Sequence, residues 1–182
     1  MSVKKVLAAT LLAGSLSISV ALFGQYWLET SPEWLRAATQ GRAQVLPDFS
    51  LPDLQGRTIN SSHWAGHVLV LNFWASWCTD CLPLLDTLNS LPAHYKDHSL
   101  QVATIAIDDP ADVAAFAEKR KLSLPVMIGN PAAIELAHRL GSRTLGLPFT
   151  AIFDANGRQV FSDFGAVPAE LLAQQLAALL PK

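Results

Sequence analysis

A chain of 182 residues has room for one domain of ordinary size and an appendage. Hydrophobic residues make up 51% and charged residues 15%, a balance that excludes a disordered chain. The formal net charge of −2 leaves no electrostatic footprint for nucleic acid, and two cysteines are too few for a scaffold built on disulfides.

The chain opens MSVKK, and residues 6–28 then carry no charge. As a helix this run spans about 35 Å, enough for a hydrocarbon core of about 30 Å. Tyr26 and Trp27 close it at the headgroup layer, and Lys4 and Lys5 hold the N-terminus in the cytoplasm. An uncleaved anchor, residues 1–28, is therefore the expected reading. Its alternative is cleavage after the small-x-small triplet Ser19-Val20-Ala21, which releases a soluble periplasmic protein. LLAGS (Leu11 to Ser15) has the outline of a lipoprotein box, but Ser15 stands where the lipid-bearing cysteine is needed. Either route delivers the body to an oxidising space outside the cytoplasm.

Residues 29–45 read as a polar linker with a short helical piece at 33–39. From Leu46 the pattern becomes regular. Strands at 49–51 and 58–60 flank a turn at Asp53-Leu54-Gln55-Gly56. Val68 to Trp74 (VLVLNFW) is a strand buried on both faces. A helix is expected over 78–90, with Pro83 delaying or bending it. A strand follows at 102–107, ended by Asp108-Asp109-Pro110, then a helix at 111–119 and a short strand at 124–128. Helix 132–140 stops at Gly141. Strands 149–153 and 159–161 are joined by Asp154-Ala155-Asn156-Gly157, and a helix at 169–180 closes the chain. Strands alternating with helices, then a hairpin and a helix, predict an α/β domain over 46–182 with a central mixed sheet flanked by helices.

Between the first buried strand and its helix lies Trp77-Cys78-Thr79-Asp80-Cys81, the WCTDC that holds both cysteines. A staple is disfavoured, because so short a loop removes little entropy from the unfolded chain. Zinc is disfavoured because it takes four ligands and the pair supplies two. Copper(I) stays open as a soft ion held by the pair and one more group. His63, His67, His94, His98 and His138 are scattered, with His94 and His98 expected in a loop after Pro92.

The run VLVLNFWASWCTDC, with Leu147-Pro148-Phe149-Thr150 far downstream, resembles the active-site region of thioredoxin-fold proteins. The lead-in LPDFSLPDLQGRTINSSHWAGHVLVLNFWASWC and an extra segment over about 108–128 narrow the resemblance to the membrane-anchored TlpA/ResA/DsbE-like group. It covers about 46–180. The resemblance implies a thioredoxin-like fold with an N-terminal β-hairpin and a TlpA-type insertion, preceded by one transmembrane helix. It implies a thiol:disulfide oxidoreductase outside the cytoplasm, most often a reductase, for example in cytochrome c maturation. Its partners would be protein thiols and disulfides and a membrane thiol electron donor, and its only redox group the Cys78–Cys81 disulfide, with no metal or other cofactor. Copper(I) handling and a disulfide oxidase or isomerase are the alternatives. A peroxidase is disfavoured, since no Pro-x-x-x-Thr-x-x-Cys element occurs.

At the start of a helix Cys78 meets unpaired N–H groups and a partial positive charge, both of which favour its thiolate. Cys81, one turn on and less exposed, is the resolving thiol. Trp77 shields the sulfur and offers an apolar docking surface, Thr79 and Asp80 fill the motif, and Asp80 opposes the thiolate and leans towards a reducing pair. Leu147 precedes Pro148, which the resemblance makes a cis proline facing the cysteines. Asn72 stands where thioredoxins carry a buried aspartate that moves protons for the resolving cysteine, and the Glu-x-Pro pattern of related reductases is missing after the motif. Asp86, Asp80 or solvent would have to substitute for that acid.

Overall fold

The computed structural model describes residues 44–95, 99–143 and 146–180. In chain order they form β1 (Ser50–Pro52), β2 (Thr58–Asn60), a 3-10 turn Ser61–Trp64, β3 (Val68–Trp74), a 3-10 turn Thr79–Cys81, and α1 (Leu82–His94). Then come β4 (Leu100–Ala106), α2 (Pro110–Arg120), β5 (Val126–Ile128), α3 (Ala132–Arg139), β6 (Phe149–Phe153), β7 (Gln159–Phe164) and α4 (Ala169–Ala177). The expected membrane helix at 6–28, the helical piece at 33–39 and His98 lie outside the described residues. Among the described residues no helix is long and apolar enough to cross a membrane.

The five-stranded sheet has the order β5-β4-β3-β6-β7. Its centre is β3, parallel to β4 and antiparallel to β6. With a neighbour on each side and helices on both faces, β3 is buried at all seven positions, which is why its sequence is a continuous apolar run rather than an alternating one. One face packs Leu69, Leu71 and Phe73 against Trp64, Leu136 and Ala137. The other packs Val68 and Val70 against Leu84, Leu88, Leu172 and Leu176. The mixed α/β sheet with helices on both sides is the architecture expected of a thioredoxin-like fold.

Hairpin β1–β2 is tied by its own turn. Asp53 Oδ1 accepts from the N–H groups of Gln55 and Arg57, both at 2.8 Å, and Oδ2 pairs with Arg57 Nε at 2.7 Å. Asp53 also bridges to Met127, which docks the hairpin on the β5 edge. Asp154 does the same work in the β6–β7 turn, accepting from Asn156 and Arg158, with Gly157 at φ +75.

Several boundaries differ from expectation. The α-helix after the cysteines starts at Leu82, later than 78, because a 3-10 turn occupies Thr79–Cys81. Pro83 falls in its first turn, where no N–H bond is lost. The loop expected after Pro92 is instead the last turn of α1, which absorbs the proline and runs on to His94. Strand β4 begins at Leu100, because Leu100 and Gln101 pair with Val68 and Leu69. Strand β5 begins only at Val126, since Pro125 offers no N–H; its carbonyl instead accepts from Thr104 at 2.9 Å.

Candidate active site

Strand β3 ends at Trp74, and the chain turns through Ala75-Ser76-Trp77 to place Cys78 at the head of the 3-10 turn. Cys78 N–H donates to Ala75 O at 3.1 Å, and Cys81 N–H to Cys78 O at 3.2 Å. This tight double turn brings the two cysteines together as a disulfide with Cα atoms 5.4 Å apart. The pair is asymmetric: Cys78 keeps 6% of its surface exposed and Cys81 keeps 0%. Cys81 packs with Trp74, Leu85 and Val113, so its sulfur is part of the core.

The loop carrying Trp77 is latched from the next strand. Asp108 Oδ2 accepts from Ser76 N–H at 2.9 Å and from Ser76 Oγ–H at 2.5 Å. Partial burial pushes the Asp108 carboxyl upward, but the hydrogen bonds from the Ser76 hydroxyl, the Asp109 N–H and the Ser76 N–H outweigh it, and the group titrates below the usual range. In the sequence Asp108 reads only as the end of a strand. The signal for its role is topological: Ser76 and Asp108 follow the C-terminal ends of neighbouring parallel strands, the place where α/β sheets build sites.

Trp77 is 68% exposed. Its indole borders a groove of about 280 Å³ that Ile107, Ile134, Leu147 and Phe149 also line. The Leu147–Pro148 peptide is cis, and Leu147 packs on the cluster that contains both cysteines. Pro148 O accepts from Gly165 N–H at 2.8 Å. Sequence reasoning missed Phe164, whose ring lies where a Cβ on Gly146 would fall and which is 56% exposed beside the same loop. It also missed a second cis bond, Asn130–Pro131.

Thr79 and Asp80 sit on the exposed side of the 3-10 turn. Asp86 is at the surface, 61% exposed and paired with Arg120 at 3.1 Å, so it is not the buried acid that Cys81 would need. Asn72 is fully buried in β3, with Nδ2 donating to Phe149 O at 3.2 Å and Thr150 Oγ1 at 3.0 Å. Among the described residues no group of three or more His, Cys, Asp or Glu could hold a metal ion. His67 pairs with Ser99 at 2.8 Å and His94 with the Ser90 carbonyl at 2.9 Å.

Comparison with known proteins shows the family. The profile of the AhpC/TSA family matches residues 43–175. The chain belongs to this family. Within it, ResA of Geobacillus thermodenitrificans, a thiol-disulfide oxidoreductase, is 29% identical over 136 residues, covering 74% of this chain and 76% of the relative. ResA of Bacillus anthracis is 30% identical over 138 residues with the same shares covered. A solved structure of a DsbE-type thiol:disulfide interchange protein from Chlorobium tepidum superposes with a TM-score of 0.68 at 28% identity, covering 76% of this chain and 97% of that one. The match places the family member among the TlpA/ResA/DsbE-like thiol-disulfide oxidoreductases, and its Cys-x-x-Cys pair, Cys78 and Cys81, stands at disulfide distance.

Proposed function

We propose that this oxidoreductase reduces protein disulfides outside the cytoplasm, with Cys78 as the attacking thiol and Cys81 as the resolving one. The observation that carries the division of labour is the difference in exposure: an incoming sulfur can reach Cys78, while Cys81 is sealed beneath it. The Cys78 thiolate attacks a client disulfide, and one client sulfur leaves with its bonding electrons. Cys81 then attacks Cys78 Sγ, forms the intramolecular disulfide, and frees the second client sulfur. The client gains two electrons and two protons, and the enzyme returns to the oxidised form.

A membrane thiol donor would restore the dithiol. Residues 1–28 would hold the protein in the inner membrane with its N-terminus inside and its catalytic domain in the periplasm. The resemblance to reductases of cytochrome c maturation makes haem-binding apoproteins one client class. Trp77, Leu147 and Pro148 would guide the client strand across the disulfide.

Equilibration with glutathione tests the direction. The reductase reading expects a potential near about −250 mV, and one near about −120 mV, typical of a strong oxidant, would sink it. Separately, Cys81→Ser should accumulate mixed disulfides through Cys78. Client capture by Cys78→Ser instead would reverse the two roles.

A further inference from the structure

The two faces of β3 divide by residue parity. Leu69, Leu71 and Phe73 point to the α3 side. Val70 packs on Leu84 and Leu88 of α1, and Trp74 packs on Cys81 and on Leu85 of the same helix. Asn72 lies between Val70 and Trp74 on that second face, the face whose core also holds Cys81. It is itself 0% exposed. In register it is flanked by Thr104 and Thr150, a buried polar row crossing three strands of an otherwise apolar layer.

Asn72 Nδ2 is used twice, on Phe149 O and Thr150 Oγ1. Because Phe149 O is a carbonyl and can only accept, these bonds identify which end of the amide is nitrogen. The other end, Oδ1, has no hydrogen-bond donor among the described residues. Thr104 does not serve it, since its hydroxyl donates to Pro125 O. A buried carbonyl oxygen without a donor is costly, and a nearby group that gains a proton relieves it.

The cysteine pair changes in that way. As a disulfide, Cys81 carries no proton. When a donor thiolate attacks Cys78 Sγ, the S–S bond breaks and Cys81 Sγ leaves with the electron pair, then takes a proton from solvent. A second donor thiolate releases Cys78 and completes the donor's own disulfide. We propose that Asn72 Oδ1 accepts a hydrogen bond from the reduced Cys81 thiol, directly or through one shared water, and thereby biases the pair towards the dithiol. Asn72 is a positioning residue here, acting on the buried sulfur without moving a proton itself. The inference needs only the Cys78–Cys81 chemistry and does not depend on the reductase direction.

The test replaces the acceptor without emptying the site. Asn72→Leu should lower the dithiol-to-disulfide equilibrium constant against glutathione about tenfold, or about 30 mV for this two-electron couple. Asn72→Asp, which retains an acceptor oxygen and the side-chain volume, should stay within about threefold of wild type or favour the dithiol further. A merely structural Asn72 would weaken oxidised and reduced protein alike, whereas this role makes Asn72→Leu lower the melting temperature of the reduced form more than that of the oxidised form. Infrared spectroscopy of reduced wild-type protein reads the bond with no substitution at Asn72. The S–H stretch assigned to Cys81 should lie below that of a free thiol. An unchanged equilibrium constant in Asn72→Leu, or a free-thiol S–H frequency in the wild type, overturns the proposal.

Discussion

Asp108 is the residue on which the geometry of the Trp77 loop turns. Its carboxylate collects the Ser76 hydroxyl and the Ser76 N–H, and the Asp109 N–H joins them on the other oxygen. The sign of its pH dependence follows from the depressed pKa. Its unfolded counterpart titrates near 3.9, so the stabilisation is complete at neutral pH and is lost as pH falls below about 4 through the folded value. Asp108→Asn should cost about 1 kcal/mol at pH 7, read from urea denaturation, with the difference from wild type vanishing in acid. An equal deficit at every pH would mean that the charge is irrelevant to the latch. Gly146 makes a second, steric point. A Cβ there would overlap the Phe164 ring, which stays partly exposed and can swing outward. Gly146→Ala should therefore cost about 1 kcal/mol alone and about nothing in a Phe164→Ala background, a coupling that a double-mutant cycle measures.

Among the elements, the central strand was readable from end to end, while one edge strand was read too short. Strand β3 matches its expected span end to end, because seven buried positions between two helical layers leave a sequence with no polar alternation to misread, apart from Asn72. Strand β7 was expected to end at 161 and runs to Phe164, since Ser162 and Asp163 lie on an exposed edge and carry no apolar signal even while they pair with Ala151 and Thr150. The cysteine motif was legible as a whole, from strand, spacing and downstream proline together. Its latch was not, because Asp108 meets Ser76 only after β3 and β4 pair in parallel. Helix α1 shows how little a proline in isolation says. Pro83 occupies the first turn and Pro92 the last stretch of the same helix. Pro83→Ala should change stability by less than about 0.5 kcal/mol, because no hydrogen bond is gained at the N-terminal turn. Pro92→Ala restores a donor facing the Leu88 carbonyl and should stabilise by about 1–3 kcal/mol, measured by thermal or urea unfolding. Equal responses at the two sites would contradict the helix boundaries.

At the scale of the whole molecule, the described core lies within one compact unit, Ala43–Lys182. The three apolar clusters that pack its strands, its helices and the cysteine pair are built from residues of that stretch. Its first residues are tied into the fold: Gln159 N–H donates to Gln44 O at 2.6 Å, Leu46 N–H donates to Gly157 O at 2.8 Å, and Val45 bridges to Arg158. These bonds close the outer hairpin at its turn, far along the chain from the cysteines. A fragment starting at Gln44 should keep the melting temperature of the full-length catalytic domain and its rate of thiol–disulfide exchange. One starting at Asp48 loses both backbone bonds and the Val45 bridge, and should be less stable by about 1–3 kcal/mol at net values of about 0.5–1.5 kcal/mol per hydrogen bond. Its exchange rate should still be close to that of the longer fragment, because the Ser76–Asp108 latch and the Cys78–Cys81 turn lie elsewhere. Membrane fractionation separates the remaining contribution of residues 1–43. If they form the proposed anchor, the full chain sediments with membranes and the Gln44 fragment does not, while both reduce a model protein disulfide at the same rate. A full chain recovered in the soluble periplasm with residues up to Ala21 removed would replace the anchor by a cleaved leader and leave the exchange chemistry as it stands.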